Sequence, residues 1–119
     1  MPQYVFLLFD DESALIDAPP EVWKQMLAAH GQFSETVQAE GGRVLGGEAL
    51  QPAATATVVR RTPGGAAQLT DGAFIETKEA LGGFYLVEAA DLDQALEFAR
   101  LCPCGAVEVR PVLDLSAWQ

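Results

Sequence analysis

Residues 4–9 form an unbroken apolar run, YVFLLF, and this run constrains the fold more than any other stretch. A strand with one face in water alternates apolar and polar side chains, whereas a continuous apolar run indicates a strand covered on both faces. Residues 84–87, FYLV, repeat the pattern. A chain of 119 residues is long enough for one domain with one core, but it has no third layer to offer. A second copy of the sheet is the simplest cover, which predicts a homodimer.

Two other stretches carry the three- and four-residue spacing of amphipathic helices. The first is predicted over residues 20–40, where prolines at 19 and 20 suit a helix start and glycines at 41 and 42 suit a helix stop. We expect its apolar stripe to face the sheet; the stripe consists of Trp23, Met26, Leu27, His30, Phe33 and Val37. The second helix is predicted over residues 92–101, with Asp91 as its cap.

The remaining apolar segments predict strands over residues 43–50, 54–61, 66–70, 84–89 and 106–112. Gly46 and Gly47, inside the first of these, suggest a bulge or a close backbone approach. The full order is βαββββαβ, and removing the hairpin at residues 54–70 leaves βαββαβ. That is the ferredoxin-like split unit. We therefore predict one α+β domain over residues 1–119, with a hairpin inserted into a ferredoxin-like βαββαβ unit and both helices on one face of an antiparallel sheet.

Composition excludes several classes of protein. A formal net charge of −10 argues against nucleic-acid binding, which usually needs a basic face. No stretch approaches the roughly 20 apolar residues that span a bilayer, and the start lacks the features of a secretory signal, so we expect no membrane association and a cytoplasmic location. Cys102 and Cys104 are expected to be reduced thiols at a helix end. Zinc, Walker and dinucleotide motifs are missing, so we predict neither a metal nor a cofactor.

A distinctive stretch precedes the strand predicted at residue 84. It reads DGAFIETKEALGGFY over residues 71–85: a turn signal, then charged residues, then a glycine pair that leads into an apolar run. This stretch resembles the signature of the YCII-related superfamily in its DGPF subgroup, with Ala73 in place of the proline. The resemblance continues through LVEAADLDQA at residues 86–95 and VEVRPV at residues 107–112, and more loosely through the first strand and helix.

The resemblance implies a ferredoxin-like dimeric α/β-barrel. It implies that the protein could be an enzyme built on a His–Asp pair, because many members are thought to use one, and it implies a regulatory link to a sigma factor of the extracytoplasmic-function type. His30 matches by its place on the first helix, whereas the position of the acid stays open.

His30 is the only histidine of the chain and lies in the apolar stripe of the first helix. It is either a neutral core residue with one hydrogen bond or a general base at the edge of a cleft, since histidine is best poised for proton transfer near neutral pH. Asp71 either closes a turn beside Gly72 or orients His30. These two residues are the catalytic candidates.

Glu76, Lys78 and Glu48 are candidates for a polar ligand cleft. The first two lie just before Gly82 and Gly83, and Glu48 follows Gly46 and Gly47, so in both places the backbone can approach a ligand closely. Each also fits an ordinary solvated surface. Three interpretations stay open: a cofactor-independent enzyme with a His-based acid/base cleft for a small molecule, a non-catalytic dimeric module that binds a ligand or a protein, and a structural dimer.

Overall fold

The architecture is described from a computed structural model, which covers residues 1–73 and 79–119. The strands and helices follow in the order β1 (Gln3–Asp11), α1 (Pro20–Ala39), β2 (Arg43–Ala49), β3 (Thr57–Arg61), β4 (Ala67–Asp71), β5 (Glu79–Glu88), α2 (Leu92–Leu101) and β6 (Ala106–Pro111). Short 3₁₀ turns occupy Glu12–Ala14, Ala53–Thr55 and Ser116–Trp118.

Four strands make one antiparallel sheet in the order β2-β5-β1-β6. This order and the two helices confirm the predicted α+β class and are compatible with a ferredoxin-like arrangement. β3 and β4 pair with each other in a separate two-stranded antiparallel sheet. Every residue of β4 is exposed, and Val59 on β3 is exposed as well. The hairpin therefore contributes nothing to the buried core.

The core lies between the sheet and both helices. Alternate residues of β1 point to that side, since Tyr4, Phe6 and Leu8 are buried while the residues between them are partly exposed. The helices complete the buried cluster with Phe33, Val37, Ala95 and Phe98. Four aromatic rings belong to this cluster, and large buried rings contribute strongly to hydrophobic stabilisation.

The ends of the helices follow the sequence signals. Helix α1 begins at Pro20, and Gly41 follows its end with a φ of 90°, a left-handed conformation that glycine adopts without strain. Helix α2 is capped by Asp91, whose Oδ1 accepts the backbone N–H of Gln94 at 2.8 Å. Within the described residues, neither helix is long and apolar enough to cross a bilayer.

Two register shifts interrupt the sheet. One lies on β2 between Val44 and Gly46, so the bulge predicted from the glycine pair is confirmed. The predicted close approach is confirmed too, because a Cβ on Gly47 would collide with the backbone oxygen of Phe84. The other shift lies where β1 passes from Leu8 to Phe9 and β5 from Gly83 to Leu81, which leaves Gly82 as an extra residue.

The structure corrects three of the predicted element boundaries. β1 continues to Asp11, beyond the predicted end at residue 9, and β5 begins at Glu79, before the predicted start at residue 84. The pairing of Asp10 with Ala80 and of Asp11 with Glu79 explains both extensions, since each strand supplies the ladder partner of the other. The predicted strand at residues 54–61 is shorter, because Ala53–Thr55 forms a 3₁₀ turn.

Candidate functional site

A cavity of about 660 Å³ opens between the first half of α1 and one end of the sheet. Its walls are mostly apolar and include Leu8, Leu15, Trp23, Met26, Leu50 and Ala80. Trp23 and Leu50 are exposed, so the cavity is connected to solvent. The volume falls within the roughly 300–1,000 Å³ that is typical of small-molecule sites. The first half of the α1 stripe faces the sheet across this cavity, whereas Phe33 and Val37 in the second half are buried.

His30 and Tyr85 form the polar centre of the cavity wall. The Nδ1 atom of His30 lies 2.7 Å from the hydroxyl oxygen of Tyr85, which is a hydrogen bond between α1 and β5. The two rings are tilted by 42°, with centroids 5.8 Å apart, and the ring of Phe33 packs against that of Tyr85 with centroids 5.2 Å apart. This packing holds Tyr85 in place, so its hydroxyl is a fixed partner for the histidine.

Burial and one nearby acid set the protonation of His30. Burial lowers the pKa of His30 from its ordinary value of 6.5, and the carboxylate of Asp10 raises it by a smaller amount. Burial also raises the pKa of Tyr85, and the thiols of Cys102 and Cys104 add to that effect. Both groups are therefore neutral near pH 7, and one ring nitrogen of His30 carries a lone pair that can accept a hydrogen bond.

The charged groups around the cavity are acidic. Asp10, Glu12, Asp17 and Glu48 line it, and no Lys or Arg does so among the residues that the structure describes. Two of the acids are already engaged: Asp10 Oδ1 accepts the N–H of Gly105 at 2.7 Å, and Glu12 Oε2 accepts the N–H of Ala53 at 2.7 Å. An anionic ligand would meet repulsion here, whereas an uncharged one would not.

Comparison with known proteins identifies the family to which this chain belongs. The family model of the YCII-related domain matches residues 2–116. The chain belongs to the YCII-related family. An uncharacterised protein of Rhizobium meliloti (strain 1021) is similar to it, with 35% identity over 118 residues that cover 92% of this chain and 90% of that protein.

The structure brings some of the predicted site residues of this YCII-related domain together and separates others. His30 and Glu48 both line the cavity. Asp71 does not: it ends β4, pairs with Thr57 in the two-stranded sheet and is exposed. Within the described residues, β3 and β4 pair only with each other, so Asp71 lies beside β3. Glu76 and Lys78 lie outside the described residues.

Two residues that the sequence analysis did not select complete the site of this YCII-related domain. Asp10 lies beyond the strand end predicted at residue 9, but it continues β1 in the alternation of Tyr4, Phe6 and Leu8 and so points to the helix side. That alternation could have predicted the orientation of Asp10 from the sequence. Tyr85 had no such signal, because the run at residues 84–87 is apolar throughout and does not show which side chain faces the helices.

The two cysteines of the YCII-related domain are free, and their sulfur atoms lie 4.0 Å apart. Burial raises the pKa of the Cys102 thiol far above its usual range, and burial is also the main cause that raises the pKa of Cys104. Both are therefore protonated near neutral pH, which makes them poor nucleophiles and poor metal ligands.

Proposed function

We propose that this protein is a cofactor-independent enzyme that transfers a proton to or from a small, mostly apolar molecule bound in the cavity. His30 is the acid/base group. The observation that carries the proposal is the position of His30, which lies in the wall of a solvent-connected cavity and is hydrogen-bonded to a second titratable side chain at 2.7 Å. Within the family we place the chain in the DGPF subgroup, on the strength of the Asp71-Gly72 motif.

The protonation state of His30 supports this role. A group that exchanges protons near neutral pH needs a pKa near that range, and imidazole has one. Burial favours its neutral form, while Asp10 favours the charged form that a proton transfer would create. Asp10 is therefore our candidate for the acid that supports the histidine, in place of Asp71. Glu48 is the candidate for a further contact with the ligand, because it lines the same cavity.

The walls define what such a ligand looks like. Apolar side chains provide most of the contact surface, so hydrophobic burial would supply most of the binding free energy. The acids at the cavity argue against carboxylates and phosphates as ligands. We therefore expect an uncharged aromatic or aliphatic molecule with few polar atoms.

The proposal can be tested with two variants of α1. The His30→Asn variant keeps one hydrogen bond at nearly the same size but cannot take a proton near neutral pH. The Gln32→Asn variant is the control, since Gln32 is exposed on the same helix. We expect small apolar compounds that raise the melting temperature of the wild type to do so equally in Gln32→Asn and no longer in His30→Asn.

Proton transfer itself is measured by incubating each stabilising compound with protein in deuterated water. We expect the wild type and Gln32→Asn to catalyse hydrogen–deuterium exchange or conversion of the compound, and His30→Asn to lose that catalysis. If compounds bind through His30 but are neither exchanged nor converted, the result would contradict the enzyme proposal. It would favour the alternative, a non-catalytic binding module. A His30→Asn variant that is destabilised by about 1–3 kcal/mol yet still responds to the compounds would make His30 a core residue only. The link to a sigma factor stays a prediction from the family resemblance.

We also propose that the protein is a homodimer, as a dimeric α/β-barrel requires. The face of the sheet that turns away from the helices carries the apolar residues Val5, Leu7, Phe9, Leu81, Phe84 and Leu86. None of them belongs to the buried core, and Leu81 and Phe84 are exposed. An apolar face is complementary to itself, whereas charged surfaces of a chain with a net charge of −10 repel each other.

Light scattering tests the dimer directly. We expect twice the mass of the chain at micromolar concentration, and a Leu7→Glu variant that is monomeric, because a charge would be buried in the centre of the interface. Val59→Glu is the control, since Val59 is a similarly apolar exposed residue on the hairpin. A monomeric wild type would contradict the proposal, and a monomeric Val59→Glu variant would move the interface from the sheet to the hairpin.

A further inference from the structure

We propose that Tyr85 is a positioning residue that fixes the hydrogen of His30 on Nε2, so that His30 presents an N–H donor to an acceptor oxygen of the ligand, such as a carbonyl oxygen. This inference rests on the proposed function for the assignment of the cavity to a ligand. It adds the side chain that determines which ring nitrogen is free, and the chemical group that the site would recognise.

One hydrogen bond joins the side chains of Tyr85 and His30. Tyr85 reaches Nδ1 of His30 at 2.7 Å, and the structure shows no other hydrogen bond of the Tyr85 hydroxyl or of the His30 ring within residues 1–73 and 79–119. The ring of Tyr85 also packs against that of Phe33, with centroids 5.2 Å apart. The Nδ1 atom is therefore occupied by the tyrosine, and Nε2 is the ring nitrogen that remains for a ligand.

The direction of this hydrogen bond follows from the acidity of the two groups. A phenol hydroxyl, with an ordinary pKa of about 10, is a stronger acid than the N–H of a neutral imidazole, and an imidazole nitrogen is a stronger acceptor than a phenol oxygen. The favoured arrangement has Tyr85 donating to Nδ1. A neutral histidine whose Nδ1 accepts a hydrogen bond carries its hydrogen on Nε2.

The surroundings keep His30 in this neutral form. Burial in the apolar wall disfavours the imidazolium, and the carboxylate of Asp10 on β1 opposes that effect more weakly. Of the other acids at the cavity, Glu12 is hydrogen-bonded to Ala53, and Asp17 and Glu48 are the remaining two. A neutral imidazole with its N–H on Nε2 can polarise a carbonyl oxygen, and that hydrogen is the proton that His30 would donate as the acid/base group.

A carbonyl oxygen matches the rest of the site. It accepts one hydrogen bond, carries no formal charge and can belong to an otherwise apolar molecule that fills a cavity of about 660 Å³. A carboxylate would also accept the hydrogen bond, but it would meet the acidic side chains around the cavity. The ligand class is therefore a small apolar ketone, aldehyde or ester.

The location of the hydrogen can be measured because His30 is the only histidine. Long-range nitrogen–proton correlation spectra of uniformly labelled protein show both ring nitrogens of one residue without assignment ambiguity. We expect the wild type above the titration of His30 to show a protonated Nε2, an unprotonated Nδ1, and a Tyr85 hydroxyl proton protected from exchange. In Tyr85→Phe, which keeps the ring packing, we expect a measurable population with the hydrogen on Nδ1.

The matched control is Tyr4→Phe, which removes the hydroxyl of a different buried tyrosine and should leave the His30 spectrum unchanged. A wild-type spectrum with the hydrogen on Nδ1 would overturn the proposal. So would a Tyr85→Phe spectrum with the same single tautomer as the wild type, because the hydroxyl would then have no part in selecting it.

The ligand group is tested with a pair of similar shape, acetophenone and isopropylbenzene. We expect acetophenone to move the Nε2 resonance and its attached proton in the wild type, and isopropylbenzene to perturb only neighbouring side chains. We expect Tyr85→Phe to bind acetophenone about two- to tenfold more weakly, since a neutral hydrogen bond contributes about 0.5–1.5 kcal/mol. No response of Nε2 to acetophenone, or equal responses to both compounds, would overturn the ligand assignment. These measurements do not depend on turnover. The tautomer and ligand predictions can therefore hold when the deuterium-exchange test fails, and they can fail when that test succeeds.

Discussion

The two halves of α1 carry the same apolar stripe but meet different surroundings. In the second half, Phe33 is 3% exposed and Val37 is fully buried against the sheet and α2. In the first half, Trp23 is 44% exposed and Leu27 is 72% exposed, and both line the cavity. His30 stands between the two halves. An amphipathic pattern therefore identifies the face of a helix that turns inward, but not whether that face meets a packed core or a hollow.

The largest expected difference between the halves is in stability. Phe33→Ala should lower the free energy of unfolding by about 3–5 kcal/mol, because it leaves a cavity in the core. Leu27→Ala should change it by no more than about 0.5 kcal/mol, since that side chain is mostly in solvent. Chemical denaturation of both variants measures the contrast. A cost above 2 kcal/mol for Leu27→Ala would show that the cavity half is covered, as it would be by a second chain.

A smaller change in stability tests whether β2 and β5 are closely packed at the end of the sheet that lines the cavity. Gly47→Ala should destabilise by about 1–3 kcal/mol, because the new methyl group would collide with the backbone of Phe84. Gly46→Ala is the matched control, as nothing lies within 4 Å of the position that its Cβ would take. We expect Gly46→Ala to leave the free energy of unfolding nearly unchanged. Equal melting temperatures for the two variants would contradict the close contact between β2 and β5.

The smallest effect concerns pH and the residue between the halves. The folded-state pKa of His30 lies below its ordinary value of 6.5, so its neutral form contributes stability above that value. This contribution is lost as the pH falls through the folded-state pKa. We expect the difference in unfolding free energy between the wild type and His30→Asn to shrink from about pH 7.5 to about pH 5, while Gln32→Asn shows a constant difference. A difference that grows with acidity would mean that Asp10 outweighs burial.

Periodicity and local signals predicted most of the fold. The two helices, the cap at Asp91, the stop at Gly41 and the bulge at the glycine pair each depend on a few neighbouring residues, and all are present. Strand ends were less predictable. Asp10 extends β1 because Ala80 pairs with it across the sheet, and no local rule carries that information.

The candidate site was only half predictable for the same reason. His30 stood out as a polar residue in an apolar stripe, which its own helix reveals. Its partner Tyr85 lies 55 positions away on β5, and the pairing depends on how the strand is turned relative to α1. Asp71 looked suitable because it begins the family signature, but the hairpin that contains it pairs only with itself.

The extra residue in β5 determines which side chain faces the cavity at this end of the sheet. Strict alternation back from Tyr85 through Gly83 would point Leu81 toward the helices and Ala80 away from them. The register shift at Gly82 reverses this, so Ala80 faces inward opposite Asp10 while Leu81 turns to the outer face. A single methyl group thus occupies the place that a branched four-carbon side chain would have filled. A slip of one position in strand pairing therefore enlarges the cavity at this end of the sheet.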